Sequence, residues 1–130
     1  MKIGNGVRQF SVAAVVTILS ALSSAGEVAY EEVRFEAALV QPGGFVVALV
    51  TDWCTTCSRQ KIIVAELLEE PRFRGLTVFI ADFDRERDLR RRLRVVRQGT
   101  FVVFKDGNEV ARSTGQTQKK AIANLFAKAF

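Results

Sequence analysis

Two cysteines separated by two residues are the groups in this sequence best able to do chemistry. They are Cys54 and Cys57, and no other cysteine occurs in the 130 residues. A pair at this spacing can open and close a disulfide, one thiolate attacking a partner and the other thiol resolving the mixed disulfide. The sequence has no histidine. A histidine general base, a Ser-His-Asp triad and a histidine metal ligand are therefore excluded.

The residues around the pair predict that it lies where a strand meets a helix. Phe45–Val50 is a continuous apolar, β-branched run, typical of a buried central strand. Ser58–Glu70 has apolar residues at helical spacing and stops before Pro71. Backbone N–H groups at a helix start favour a thiolate and lower the pKa of a thiol there. We therefore expect Cys54 to be the nucleophile and Cys57 the resolving thiol.

The neighbouring residues complete the predicted catalytic site. Trp53 can shield the sulfurs and present a flat surface to a partner, while Thr55 and Thr56 set backbone dipoles and hydroxyls around Cys54. An inert disulfide and half of an intermolecular metal site are the alternatives. A disulfide across two residues gains little stability from loop entropy, and two cysteines cannot complete a four-ligand zinc site alone. We expect no bound metal and no cofactor beyond the redox-active disulfide.

The rest of the chain predicts one domain of alternating strands and helices. Strands are predicted at Glu27–Tyr30, Leu76–Ala81, Thr100–Phe104 and Glu109–Arg112, and helices at Glu31–Val40, Asp84–Val96 and Gln116–Phe130. Lys105-Asp106-Gly107-Asn108 is typical of a hairpin turn. This order predicts an α/β fold with a central mixed sheet and helices on both faces. Helical spacing predicts inward faces that include Val33, Ala37, Val40, Val96, Ile122, Leu125, Phe126 and Ala129.

The N-terminal segment, residues 1–25, has the order of a signal peptide. It begins with two basic residues, Lys2 and Arg8. An uncharged run from Phe10 to Leu22 follows, and small residues lead to a predicted cleavage site after Ala25. The run is shorter than the roughly 20 residues of a membrane span, although an uncleaved anchor is an alternative. We expect residues 26–130 to form a domain in the periplasm or another exported, oxidising location.

Three segments resemble the thioredoxin superfamily: Phe45–Cys57, Ala81–Asp84 and Thr100–Gly107. Within the first, Asp52-Trp53-Cys54 is most similar to the exported thioredoxin-like reductases, including the periplasmic C-terminal domain of DsbD. The resemblance covers nearly all of the chain from about Glu27 to Phe130. It implies a thioredoxin fold and thiol–disulfide oxidoreductase activity, with a nucleophile at Cys54 and a resolving thiol at Cys57.

The sequence departs from the family pattern beneath and beside the cysteines. Ala48 stands where thioredoxins carry a buried Asp, and Ile80 where they often have a Lys, so thiol deprotonation is expected to be slower. The segment that would bind substrate is Gln98, Gly99 and Thr100, with Gly99 at the position of the family's cis-proline. A cis peptide before a non-proline costs about 3 kcal/mol, so a trans or remodelled loop is predicted. This change would leave the nucleophilic cysteine more open.

The function predicted from these features is an exported thiol–disulfide oxidoreductase, more reducing than strongly oxidising, because no histidine lies between the cysteines. Its partners would be a client protein with a disulfide or thiols and a membrane thiol carrier as electron donor. We expect a monomer that binds no nucleic acid. The alternative is a redox-slow thioredoxin-fold module that binds a protein partner or a metal. The arginines between Arg85 and Arg97 are either a docking face for an acidic surface or a solvated helix face.

Overall fold

The computed structural model describes residues 25–130, which form a five-stranded sheet with four α-helices. The strands are β1 Gly26–Ala29, β2 Gly44–Val50, β3 Thr77–Asp82, β4 Thr100–Lys105 and β5 Asn108–Thr114. The α-helices are α1 Glu32–Val40, α2 Thr55–Glu69, α3 Arg87–Leu93 and α4 Lys119–Phe126. Short 3-10 turns occupy Pro71–Phe73 and Ala127–Ala129. The predicted signal peptide, apart from Ala25 at its end, lies outside the described residues.

The sheet has the strand order β1-β3-β2-β4-β5. Strands β1 and β2 both run parallel to β3, whereas β4 pairs antiparallel with β2 and with β5. The β4–β5 connection has positive φ at Asp106 (+50°) and Gly107 (+80°), as a two-residue hairpin turn requires. The predicted hairpin and the predicted mixed sheet are therefore confirmed.

Two apolar layers cover the two faces of the sheet. Helices α2 and α4 pack on one face around Val46, Ala48 and Phe101, and α1 and α3 pack on the other around Val47 and Leu49. Alternate residues of β2 belong to the two layers, and its residues 45–49 are all buried because the strand lies at the centre of the sheet. Helices on both faces were predicted and are confirmed. The predicted inward residues of α4 and its following turn are all buried: Ile122, Leu125, Phe126 and Ala129.

Two of the predicted inward faces are wrong. Val33 and Val40 of α1 are 80% and 81% exposed, and the buried residue of this helix is Phe35. The aromatic rings of Phe45, Phe79 and Phe104 all lie within 6.4 Å of the Phe35 ring, and this cluster sets the orientation of α1.

In the segment after α3, Val96 is 87% exposed, because the helix ends at Leu93 and Arg94 takes a left-handed conformation with φ +53°. The change of direction moves Val96 off the helical face that the sequence pattern assigned to it. No helix within residues 25–130 is both long and apolar enough to cross a membrane.

The arginines around α3 make contacts mainly within the protein. Ion pairs join Arg85 to Asp82, Arg91 to Asp88 and Arg92 to Glu36. Arg90 lies 4.1 Å above the Phe83 ring and donates to the Phe83 carbonyl. These contacts favour the interpretation of a solvated helix face over that of a docking face.

Candidate functional site

The two cysteines lie at the start of α2, directly after the turn that follows β2. Cys54 is the N-cap residue of the helix, and its Sγ accepts a hydrogen bond from the backbone N–H of Cys57 at 3.1 Å. The two sulfurs form a disulfide, and the two Cα atoms are 5.2 Å apart. Thr55 and Thr56 are the first residues of the helix, the former exposed and the latter half-buried. The predicted strand–helix junction is confirmed, with the helix beginning three residues before the predicted Ser58.

The disulfide is almost fully buried. Cys54 is 6% exposed and Cys57 is 4% exposed; a nucleophile more open than that of other family members stays a prediction. The loop at Gly99 lies against α2, where Gln60 donates to the Gly99 carbonyl. A Cβ built on this glycine would lie 3.6 Å from the methyl group of Thr56, the residue before Cys57.

Trp53 forms the exposed apolar surface beside the disulfide. Its side chain is 66% exposed, and its Nε1–H donates to Oδ2 of Asp84 at 2.9 Å. This hydrogen bond links the turn before α2 to the loop after β3 and holds the indole in one orientation. A flat apolar surface is therefore available to a partner at the predicted position.

The segment predicted to bind substrate follows α3 and ends at Thr100, the first residue of β4. Gly99 has φ +73°, and no peptide bond in residues 25–130 is cis, which confirms the predicted trans loop. The Gly99 N–H donates to the Leu49 carbonyl at 2.8 Å, and its own carbonyl accepts from the Gly115 N–H at 2.9 Å. Both backbone groups of Gly99 are thus bonded inside the protein.

Thr100 and Gln98, the other two residues of this segment, differ in whether their hydrogen-bonding groups are already paired. Thr100 is buried, and its hydroxyl donates to the Arg97 carbonyl at 2.7 Å and lies 2.9 Å from the hydroxyl of Thr114. Gln98 is half-buried, and neither its N–H nor its carbonyl makes a hydrogen bond within the part of the chain that the structure describes. Only Gln98 could therefore offer backbone groups to a client without breaking an existing bond.

Gln60 is a residue of the site that the sequence analysis missed. It lies on α2 one turn after Cys57, is 1% exposed, and donates from Nε2 to the Gly99 carbonyl and to the Gln116 carbonyl, both at 3.0 Å. The buried residues of α2 are Cys57, Gln60, Val64 and Leu67. A glutamine on this otherwise apolar stripe was the signal that could have identified it.

A cleft of about 530 Å³ lies between β1 and α2 and is lined in part by Cys57. Ala48 and Ile80 are register partners on β2 and β3, and both line this cleft together with Cys57. The two positions that the resemblance matches to a buried acid and a lysine are therefore apolar neighbours in the cleft beside Cys57, as predicted. Within residues 25–130, no group of three or more His, Cys, Asp or Glu side chains could hold a metal ion.

Comparison with known proteins agrees with this geometry. The sequence model described as "Thioredoxin" matches residues 27–128. The chain belongs to the thioredoxin family. The crystal structure of Trxlp from Edwardsiella tarda is 31% identical with a TM-score of 0.73, and the match covers 77% of this chain and 96% of that one.

Two further solved structures share the fold at lower identity. Oxidised thioredoxin from Plasmodium falciparum is 21% identical with a TM-score of 0.66, covering 81% of this chain and 97% of that one. Thioredoxin from Malassezia sympodialis is 14% identical with a TM-score of 0.71, covering 82% and 95%. A comparison with curated proteins produced no match. Membership of this family and the Cys54–Cys57 disulfide together show that the protein is a thiol–disulfide oxidoreductase that acts on disulfides of protein substrates.

Proposed function

We propose that this thioredoxin is exported and reduces disulfides of client proteins, with Cys54 as nucleophile and Cys57 as resolving thiol. The observation that carries the proposal is the capping of α2 by the Cys54 sulfur, which accepts the Cys57 N–H at 3.1 Å. The N–H groups at the start of a helix carry partial positive charge, so the contact favours the thiolate over the thiol once the disulfide is reduced.

The reaction consists of two exchanges at sulfur. The Cys54 thiolate attacks one sulfur of a client disulfide, forming a mixed disulfide while the second client sulfur leaves as a thiolate. Cys57 then loses its proton and attacks the Cys54 sulfur, and the first client sulfur leaves as a thiolate. The client gains two electrons and takes up two protons, and the oxidised Cys54–Cys57 pair of the present structure is regenerated.

The reducing direction is supported by what surrounds the sulfurs. The residues between the cysteines are Thr55 and Thr56, and the sequence has no histidine that could stabilise a thiolate further. A moderately stabilised thiolate gives a less oxidising pair than a strongly stabilised one. A dithiol of a membrane thiol carrier would supply the two electrons and two protons that return the disulfide to the dithiol form.

The expected slow step is the deprotonation of Cys57. Cys57 lines the same cleft as the apolar pair Ala48 and Ile80, where the resemblance implies a buried acid that assists proton transfer in thioredoxins. The client would contact the exposed Trp53 and the free backbone groups of Gln98. We propose a monomer, because these contacts need no second copy of the chain.

Insulin reduction by dithiothreitol tests the exchange reaction. The wild-type protein is expected to accelerate it and a Cys54→Ser variant is not, while Cys57→Ser should accumulate the mixed disulfide. Equal rates with and without Cys54 would leave a thioredoxin-fold binding module as the better description. A reduction potential near that of thioredoxin, about −270 mV, would support the reducing direction, and one near about −120 mV would reverse it.

Export rests on the N-terminal segment and has its own experiment. The full chain is produced in a Gram-negative bacterium, the periplasm is separated from the cytoplasm, and the N-terminus of the recovered protein is sequenced. Recovery from the periplasm with Gly26 as the first residue is expected. Recovery from the cytoplasm with an intact N-terminus would contradict the proposal, and a periplasm-facing, membrane-bound chain would indicate the uncleaved anchor.

A further inference from the structure

We propose that Gln60 is a positioning residue that holds the Gln98–Gly99 segment in the geometry that receives the client backbone. This inference rests on the proposed function, since it concerns how the same face takes its client. It assigns to a buried glutamine of α2 the task that a proline ring in the loop performs elsewhere in the family. Gln60 contacts neither sulfur and takes part in no bond-breaking step.

The hydrogen bonds of Gln60 join three parts of the protein at one point. Its Nε2 uses both protons, one to the Gly99 carbonyl and one to the Gln116 carbonyl, each at 3.0 Å. The first bond spans 39 residues of sequence and the second spans 56. The Gln98–Gly99 segment and the segment before α4 are thereby attached to α2, the helix that begins at the disulfide.

The fit around Gly99 is close enough to make the attachment specific. A Cβ on Gly99 would lie 3.3 Å from Gln60 Oε1 and 3.6 Å from Nε2, so the amide group packs directly against the glycine Cα. Oε1 is buried and has no hydrogen-bond partner among the described residues. An unpaired buried carbonyl is unfavourable, so the two hydrogen bonds that Nε2 donates must supply the stabilisation that holds the side chain in this position.

The consequence for the client lies in the adjacent residue. Gly99 has both backbone groups bonded inward, and Gln98 is left with its N–H and carbonyl unbonded within residues 25–130. If the Gln60 bonds are removed, Gly99 keeps the Leu49 and Gly115 bonds but loses its attachment to α2. The Gln98–Gly99 segment then samples more conformations beside the disulfide. Client binding weakens, and the chemistry of the sulfurs is unaffected.

The first experiment compares Gln60→Met with the wild type in insulin reduction at saturating dithiothreitol. Methionine has a similar length and no donor, and Gln118→Met, an exposed position before α4, is the matched control. The expected result is a KM for insulin raised about five- to tenfold, consistent with the loss of one or two hydrogen bonds, with kcat changed less than about twofold and the reduction potential unchanged. An unchanged KM, or a fall in kcat with KM constant, would overturn the proposal.

A second measurement needs no variant and covers the case in which Gln60→Met fails to fold. In the wild-type protein, hydrogen exchange of the side-chain amide protons of Gln60 is expected to be at least about 100-fold slower than that of Gln118, since a hydrogen-bonded buried amide exchanges only on opening. Equal exchange rates would overturn the proposal. If the wild type shows no turnover that depends on Cys54, the proposed function fails instead, and the two failures are distinguished.

Discussion

Replacing Gly99 by alanine tests how tightly the loop beside the disulfide is held. Its φ of +73° costs an L-residue about 1–2 kcal/mol. The new Cβ would also lie 3.3 Å from Oε1 of Gln60, which is 1% exposed and held by two hydrogen bonds. Gln60 can retreat only by lengthening those bonds, and one such bond contributes about 0.5–1.5 kcal/mol. Gly99→Ala is therefore expected to lower the free energy of unfolding by about 2–3 kcal/mol.

Gly115 provides a matched control for this substitution. It has the same φ of +73°, and a Cβ there would meet no atom within 4 Å. Gly115→Ala thus carries the backbone cost alone, and we expect a loss of about 1–2 kcal/mol. The difference of about 1 kcal/mol between the two variants isolates the contact with Gln60, and it corresponds to roughly 4–8 °C in Tm for a domain near this size.

The assay is urea unfolding of the oxidised proteins, followed by the fluorescence of Trp53, the single tryptophan of the chain. The midpoints should differ while the slope m stays constant. Equal losses in the two variants would refute the contact between Gly99 and Gln60. No loss in either variant would refute the argument from positive φ.

Three further predictions concern the thiol, the core and the surface. The pKa of the reduced Cys54 is expected to lie below the roughly 8.5 of a free cysteine. The measurement is a titration of thiolate absorbance in a Cys57→Ser variant, and a pKa of about 8.5 or more would contradict the prediction. In urea unfolding, Phe35→Ala should lower the free energy of unfolding by about 3–5 kcal/mol and Val33→Ala by less than about 0.5 kcal/mol, because only Phe35 is buried. Similar losses in the two variants would refute the assignment of the buried face of α1. A hydrogen bond from Arg92 holds the pKa of Glu36 below its ordinary 4.5, so this carboxylate stabilises the fold above that value and less as the pH falls through the lowered pKa. Glu36→Gln should therefore be less stable than the wild type at neutral pH and equal to it in strong acid, and a difference that does not change with pH would contradict the assignment.

Local sequence pattern was sufficient for the elements and for the cysteine pair. The apolar run that became β2, the helix start after Cys54 and the turn at Asp106-Gly107 each depend on residues adjacent in the chain. Backbone sterics and side-chain periodicity act over the same short range, so the sequence contains the information directly. The apolar replacement beneath Cys57 was predicted from the resemblance to thioredoxins, which matches Ala48 and Ile80 to the positions of a buried acid and a lysine.

Tertiary structure decided which faces are buried and how the loop at Gln98 and Gly99 is attached to α2. The orientation of α1 depends on Phe35 meeting rings from three strands, and Val96 is exposed because the chain turns at Arg94. The hydrogen bonds of Gln60 reach carbonyls 39 and 56 residues away. Periodicity in a short window cannot report such contacts, since their partners are set by the packing of α2 against the sheet and not by neighbours in the chain.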